Sequence, residues 1–109
     1  MSFYNDIFDE ISNEIKDKYG FVVCRNFCFK KVTGYISYKY KLIEINERDD
    51  KFALFILCHE YGHLLIHLNN ENDNEDLVDF YGFLIYKRFA KNLNFFDWMR
   101  LAKLRCIYD

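Results

Sequence analysis

Lys51-Phe52-Ala53-Leu54-Phe55-Ile56-Leu57-Cys58-His59-Glu60-Tyr61-Gly62-His63-Leu64-Leu65-Ile66-His67-Leu68 is the stretch on which the fold turns. Its strong helix formers and lack of proline predict a helix over 51–68, with Asp49 or Asp50 as N-cap. Apolar residues cover nearly every face of that helix, so it is expected to be central and mostly buried. Two histidines and a glutamate in a buried helix need polar partners. On a helix, residues four apart share a face with Cβ atoms about 5–6 Å from each other. His59 and His63 therefore can grip one metal ion at roughly 2.0–2.1 Å each. Glu60, beside the first histidine, is placed to act on a water rather than on the metal, as in the H-E-x-x-H zinc signature.

Working outward toward the N-terminus, Phe3, Ile7, Ile11, Ile15 and Tyr19 recur every four residues, predicting an amphipathic helix over 3–19 closed by Gly20. From 21 to 46 the chain becomes β-branched and aromatic-rich, and Ile43 and Ile45 alternate around Glu44, the period of a half-buried strand. Gly34, beside Thr33, reads as the turn between strands, and the segment as a small antiparallel sheet of about three strands. Toward the C-terminus, Asn69 to Asn74 is a polar break, and Asp73 or Asn74 caps a helix running from Glu75 to about Asn92. Its apolar face reads Leu77, Phe80, Tyr81, Leu84, Ile85 and Phe89. Asn94 and Asp97 open a last helix over 95–107, with Phe95, Met99 and Ala102 on one stripe. The expected class is α+β, about four helices packed with the sheet in a single domain over 1–109.

At 109 residues, with 51% hydrophobic and 20% aromatic side chains, the chain supports one modest core rather than two domains or disorder. A net charge of −2 gives no electrostatic reason to expect nucleic acid or an anionic membrane as partner. No apolar run approaches the ~20 residues of a membrane span, and the first twenty residues lack a signal-peptide core. A cytoplasmic location is expected. Cys24, Cys28, Cys58 and Cys106 form no C-x-x-C pair, which speaks for reduced thiols and against a zinc ribbon.

A catalytic zinc site needs a third protein ligand besides an open position. His67 continues the four-residue series, yet it stands about 12 Å of helical rise from His59, too far for three imidazoles to close on one ion. Glu75 is better placed, at the start of a helix that can fold back on the first, with Glu71 as the fallback ligand. Asp79 lies one turn beyond Glu75 on the same face. There it can accept a hydrogen bond from the distal nitrogen of a ligand histidine. The opposing view makes Glu75 and Asp79 a solvated acidic first turn. The Asn/Asp-rich loop lacks the glycine and terminal glutamate of an EF-hand.

In four segments the chain resembles the ImmA/IrrE family of small zinc metallopeptidases. They are Ile43-Glu44-Ile45-Asn46, Phe52-Ala53-Leu54, His59 through His67, and Glu75-Asp76-Leu77-Val78-Asp79-Phe80, with Val78 where alanine is usual. The resemblance covers roughly residues 35 to 90. It implies one zinc per chain on His59, His63 and Glu75, with Glu60 as general base, and a protein substrate such as a transcriptional repressor in a mobile element or stress response. Departures are Tyr81-Gly82, a missing proline-containing stretch after it, and no DNA-binding helix-turn-helix. The leading expectation is a zinc peptidase with substrate added as a strand beside Lys41 to Asn46, if that strand is a sheet edge. Its rivals are a metal-containing module that binds a regulatory protein without cutting it, and a coincidental H-E-x-x-H in a structural helix. Nine tyrosines leave the oxyanion-stabilising residue unassigned.

Overall fold

Three fully interior isoleucines, Ile7, Ile11 and Ile15, organise the first helix of the computed structural model, which describes residues 3–27, 32–72, 74–90 and 98. That helix, α1 (Phe3–Tyr19), ends where Gly20 adopts φ +74 and its N–H bonds back to the Lys16 carbonyl at 2.9 Å. A left-handed residue at this position costs glycine nothing sterically. Then follow β1 (Val22–Asn26), β2 (Gly34–Ser37), β3 (Leu42–Asn46), α2 (Asp50–Leu68) and α3 (Glu75–Phe89). The class is α+β, with three helices and a three-stranded sheet among the described residues. The helix expected over 95–107 lies outside them, apart from Trp98, which is buried.

The sheet corrects one expectation. Its order is β1-β3-β2, with β1 parallel and β2 antiparallel to β3, so it is mixed rather than antiparallel. Alternation in the sequence reports which face of a strand is buried; it does not report the neighbour. β3 carries Ile43 and Ile45, both fully buried, and takes the middle position where burial is greatest. It therefore has partners on both sides, and a substrate strand cannot add beside Lys41 to Asn46. Among the described residues the sheet edges are β1 and β2. Asn46, only 3% exposed, closes one end of the sheet: it accepts from the Asn26 amide at 2.8 Å and donates to the Val32 carbonyl at 2.9 Å.

Gly34 is not a turn. It opens β2 opposite Ile45, where a Cβ would meet Ile56 Cγ2 at 2.5 Å. The reversal falls instead at Tyr38 to Lys41, with Lys41 at φ 50 and its carbonyl held by Val22 N at 3.0 Å.

α2 starts at its Asp49 cap, whose carboxylate accepts from Phe52 N at 2.8 Å. The loop into it is clamped by Arg25 of β1, whose guanidinium donates to Asn5, to the Glu47 and Arg48 carbonyls and to Asp50 at 2.9–3.2 Å. α1 packs on β1 and α2, and α2 on β2 and β3. α3, capped by Asn74, which accepts from Asp76 N at 2.8 Å, packs on α2.

The α2–α3 contact is unusually close. A Cβ on Gly62 would lie 2.7 Å from the Val78 carbonyl oxygen, and one on Gly82 would lie 3.2 Å from that of Cys58. The pairs 62/78 and 58/82 run in opposite senses, so α3 folds back antiparallel along α2. Its buried positions are Val78, Gly82, Ile85 and Tyr86. This corrects the apolar stripe read from the sequence, since Phe80 and Leu84 are 56% and 46% exposed. A glycine seam admits backbone-to-backbone approach that a stripe of large side chains forbids, and it decides which way α3 faces. α3 also ends at Phe89 rather than near Asn92, because Ala90 has left helical geometry (φ −116, ψ 74).

Candidate metal centre

The glycine seam brings the first turns of α3 onto the middle of α2. His59 and Glu60 lie in the buried half of α2, at 5% and 6% exposure, and His63 is partly open. The two imidazoles meet edge to face with centroids 4.8 Å apart. Glu75 reaches both: its Oε2 is 3.8 Å from His59 Nε2 and its Oε1 is 4.0 Å from His63 Nε2. Asp79, one turn further, sets Oδ1 3.4 Å from His59 Nδ1. The ligand atoms of His59, Glu60 and His63 lie within 4.8 Å of one another, as do those of His59, Glu75 and Asp79.

These residues suit a divalent cation. Two donors held ~2.1 Å from one tetrahedral ion stand about 3.4 Å apart, close to the 3.8 and 4.0 Å seen here. Two imidazoles and a carboxylate are residue types that could hold zinc, and Glu75 meets the two histidines through different oxygens. Three carboxylates lie near the two imidazoles, Glu60 buried and Glu75 exposed, and a cation could offset their charge. His59 Nδ1 is buried without a well-aligned hydrogen bond, its nearest acceptor being Asp79. With Nε2 facing Glu75 and Nδ1 facing Asp79, the carboxylate of Asp79 favours the tautomer that leaves Nε2 as the ligand atom. Glu75 is 62% exposed, so the cluster opens to solvent on the α3 side.

The other residues weighed as ligands lie elsewhere. Glu71 accepts from the Tyr81 hydroxyl at 2.8 Å and from Asn69 Nδ2 at 3.4 Å. That hydrogen bond from Tyr81 pushes the Tyr81 phenol up from its ordinary value. His67 stacks on Tyr38, with centroids 3.9 Å apart and planes at 19°. Asp73, read above as an alternative cap of α3, lies outside the described residues.

Two supports of the site left no trace in the sequence pattern. Tyr38, at the end of β2, donates its hydroxyl to the His63 carbonyl at 3.2 Å and so ties the strand to the motif helix. On the opposite face of α2, the motif's own Tyr61 donates to Glu14 of α1 at 2.8 Å. Arg88 of α3 pairs with the same Glu14 oxygen, and Lys18 lies 3.4 Å from its partner oxygen. Burial pulls the Glu14 pKa upward, but the bonds from Tyr61, Arg88 and Lys18 outweigh it and hold the carboxyl below its ordinary value. Burial and the same contact push the Tyr61 phenol up. Three helices thus meet on one carboxylate behind the histidines. Gly62 did carry a sequence signal, because a glycine inside a helix calls for a packing reason.

No protein-family model, curated protein or solved structure matches this chain. No helix among the described residues is long and apolar enough to cross a membrane.

Proposed function

We propose that this chain is a zinc-dependent endopeptidase of the ImmA/IrrE type that cuts a regulatory, repressor-like protein. The observation that supports it most is the convergence of Glu75 from α3 on both motif histidines of α2, with the Glu60 carboxylate beside them. His59, His63 and Glu75 would hold the ion, and Asp79 would fix His59. Zinc, when bound, supplies a Lewis acid that acidifies water and polarises a carbonyl. Glu60 takes the proton of the attacking water and delivers it to the leaving amine, a task suited to a carboxylate held in a buried helix. The peptide adds as a strand to the outer edge of β2, an edge strand among the described residues, which packs on α2 and is followed by Tyr38, whose hydroxyl touches the backbone of His63.

The test is direct. Zinc should be found near one equivalent per chain, and Glu60→Gln should keep the metal yet lose hydrolysis. Full proteolysis by that variant would sink the mechanism.

A metal-containing module that binds a regulator without cutting it is the second reading. Phe80 and Leu84 favour it, since they stand one turn apart on the exposed side of α3. It predicts a partner that stays intact and a Glu60→Gln variant that acts as well as wild type.

A further inference from the structure

His67 has no part in the metal cluster, yet it borders a groove at the end of the motif helix. A hollow of about 360 Å³ lies at the C-terminal end of α2. This is the size range of small-ligand sites, roughly 300–1,000 Å³. Its apolar lining comes from Phe21, Leu64 and Leu68, and the Tyr38 ring, stacked on His67 and edge-on to Phe21, stands as one wall. Its charged lining residues are both cationic: Lys18 from the end of α1 and Lys41 from the β2–β3 turn. Among the described residues no aspartate or glutamate lines it.

The positive charge is held there by structure. Lys18 lies 3.4 Å from Glu14, and Arg88 pairs with the same carboxylate, so one negative charge is shared between two cations and a net positive charge remains. Lys41 occupies the left-handed region at φ 50, uncommon for a lysine, and Val22 N bonds to its carbonyl. The turn therefore presents that side chain from a fixed backbone. Tyr38 connects groove and site: its ring forms the wall, and its hydroxyl rests on the carbonyl of His63. One helical turn, about 6 Å of rise, separates His67 from His63.

We infer that this groove is a specificity subsite for an acidic residue of the peptide substrate, with Lys18 and Lys41 receiving its carboxylate and the aromatic wall its apolar neighbour. The inference rests on the peptidase reading and names the chemistry of the substrate. A cationic rim over an apolar floor, in a chain of net charge −2, selects carboxylate-bearing segments.

Binding is measured apart from cutting. In zinc-loaded Glu60→Gln protein, fluorescence anisotropy compares peptide pools that differ only in carrying Glu, Gln or Lys at one position among apolar residues. The Glu pool should bind about tenfold or more tighter than the Gln pool, the scale of a charge-assisted contact. Lys41→Glu should abolish that preference, and the milder Lys18→Gln should reduce it, with zinc content reporting that the fold is intact. Equal binding of the Glu and Gln pools, or a Glu preference that survives Lys41→Glu, overturns the subsite. Wild type that binds the Glu pool through the groove but cuts none of it overturns the peptidase reading and leaves the carboxylate site standing.

Discussion

Replacing Gly62 with alanine sets two effects of opposite sign against each other. Alanine is the better helix former by about 1 kcal/mol, so on propensity alone the variant should be more stable. The structure says otherwise, because the new Cβ would sit 2.7 Å from the Val78 carbonyl oxygen and 3.4 Å from Gly82 N. A carbon normally approaches a carbonyl oxygen to no less than ~3.3 Å, so α3 must retreat by about 0.6 Å. Both contacting atoms are backbone, so no side chain can swing aside. Overpacking of this kind costs about 1–3 kcal/mol, which offsets the propensity gain or exceeds it by up to ~2 kcal/mol. The more telling effect falls on the metal, since Glu75 and Asp79 ride on the helix that retreats while His59 and His63 stay. Loss of an orienting contact costs about 10–100-fold in metal affinity, and a displaced ligand should cost at least that much. Competitive zinc titration and thermal melts of apo and zinc-loaded protein measure both terms. An alanine variant that melts higher than wild type and binds zinc with undiminished affinity refutes the seam as the device that assembles the site.

Glu75→Ala should abolish tight zinc binding while Glu71→Ala leaves it intact; the reverse result in metal analysis would move the third ligand to the loop. Asp79→Ala should weaken zinc about 10–100-fold without removing it, and an unchanged affinity would dissociate Asp79 from His59. A chelator should lower the melting temperature of zinc-loaded protein, since a ligand at 100 times its Kd stabilises by ~2.7 kcal/mol; an unmoved transition excludes a tightly held ion. Glu14 has a lowered folded pKa, so its contribution is full above the unfolded value of about 4.3 and is lost as pH falls through the folded value. Denaturation midpoints of wild type and Glu14→Gln should therefore differ at neutral pH and converge in acid, and a constant gap across that range would contradict the pairing.

The helices were legible because their signals are local. α1 shows as a four-residue isoleucine repeat, and α2 and α3 open at Asp49 and Asn74, which both serve as caps. The motif histidines and the two acidic residues of α3 were legible for the same reason, as spacing on a helix face. The pairing of strands was not, because β1 and β3 lie side by side through contacts that no periodicity records. The facing of α3 was misread from Phe80 and Leu84, since a count of large apolar residues outweighed two glycines. Gly82, which departs from the pattern the sequence resembles, abuts Cys58 and Trp98, so the residue that weakens the resemblance closes the helix pair. Tyr38 was indistinguishable among nine tyrosines, because its importance lies in a neighbour twenty-five positions away.

The carboxylate of Glu14 also bears on when the metal cluster can form during folding. It joins Tyr61 across a separation of 47 residues and Arg88 across 74. Contacts of such span are reached late, after the loop-closure entropy has been overcome. These two bonds add to the glycine seam in holding α2 and α3 in the register that faces Glu75 toward the histidines. A chain shortened before residue 88 would carry every proposed ligand and still lack the Arg88 pairing with Glu14, so it should capture zinc more weakly than the whole chain.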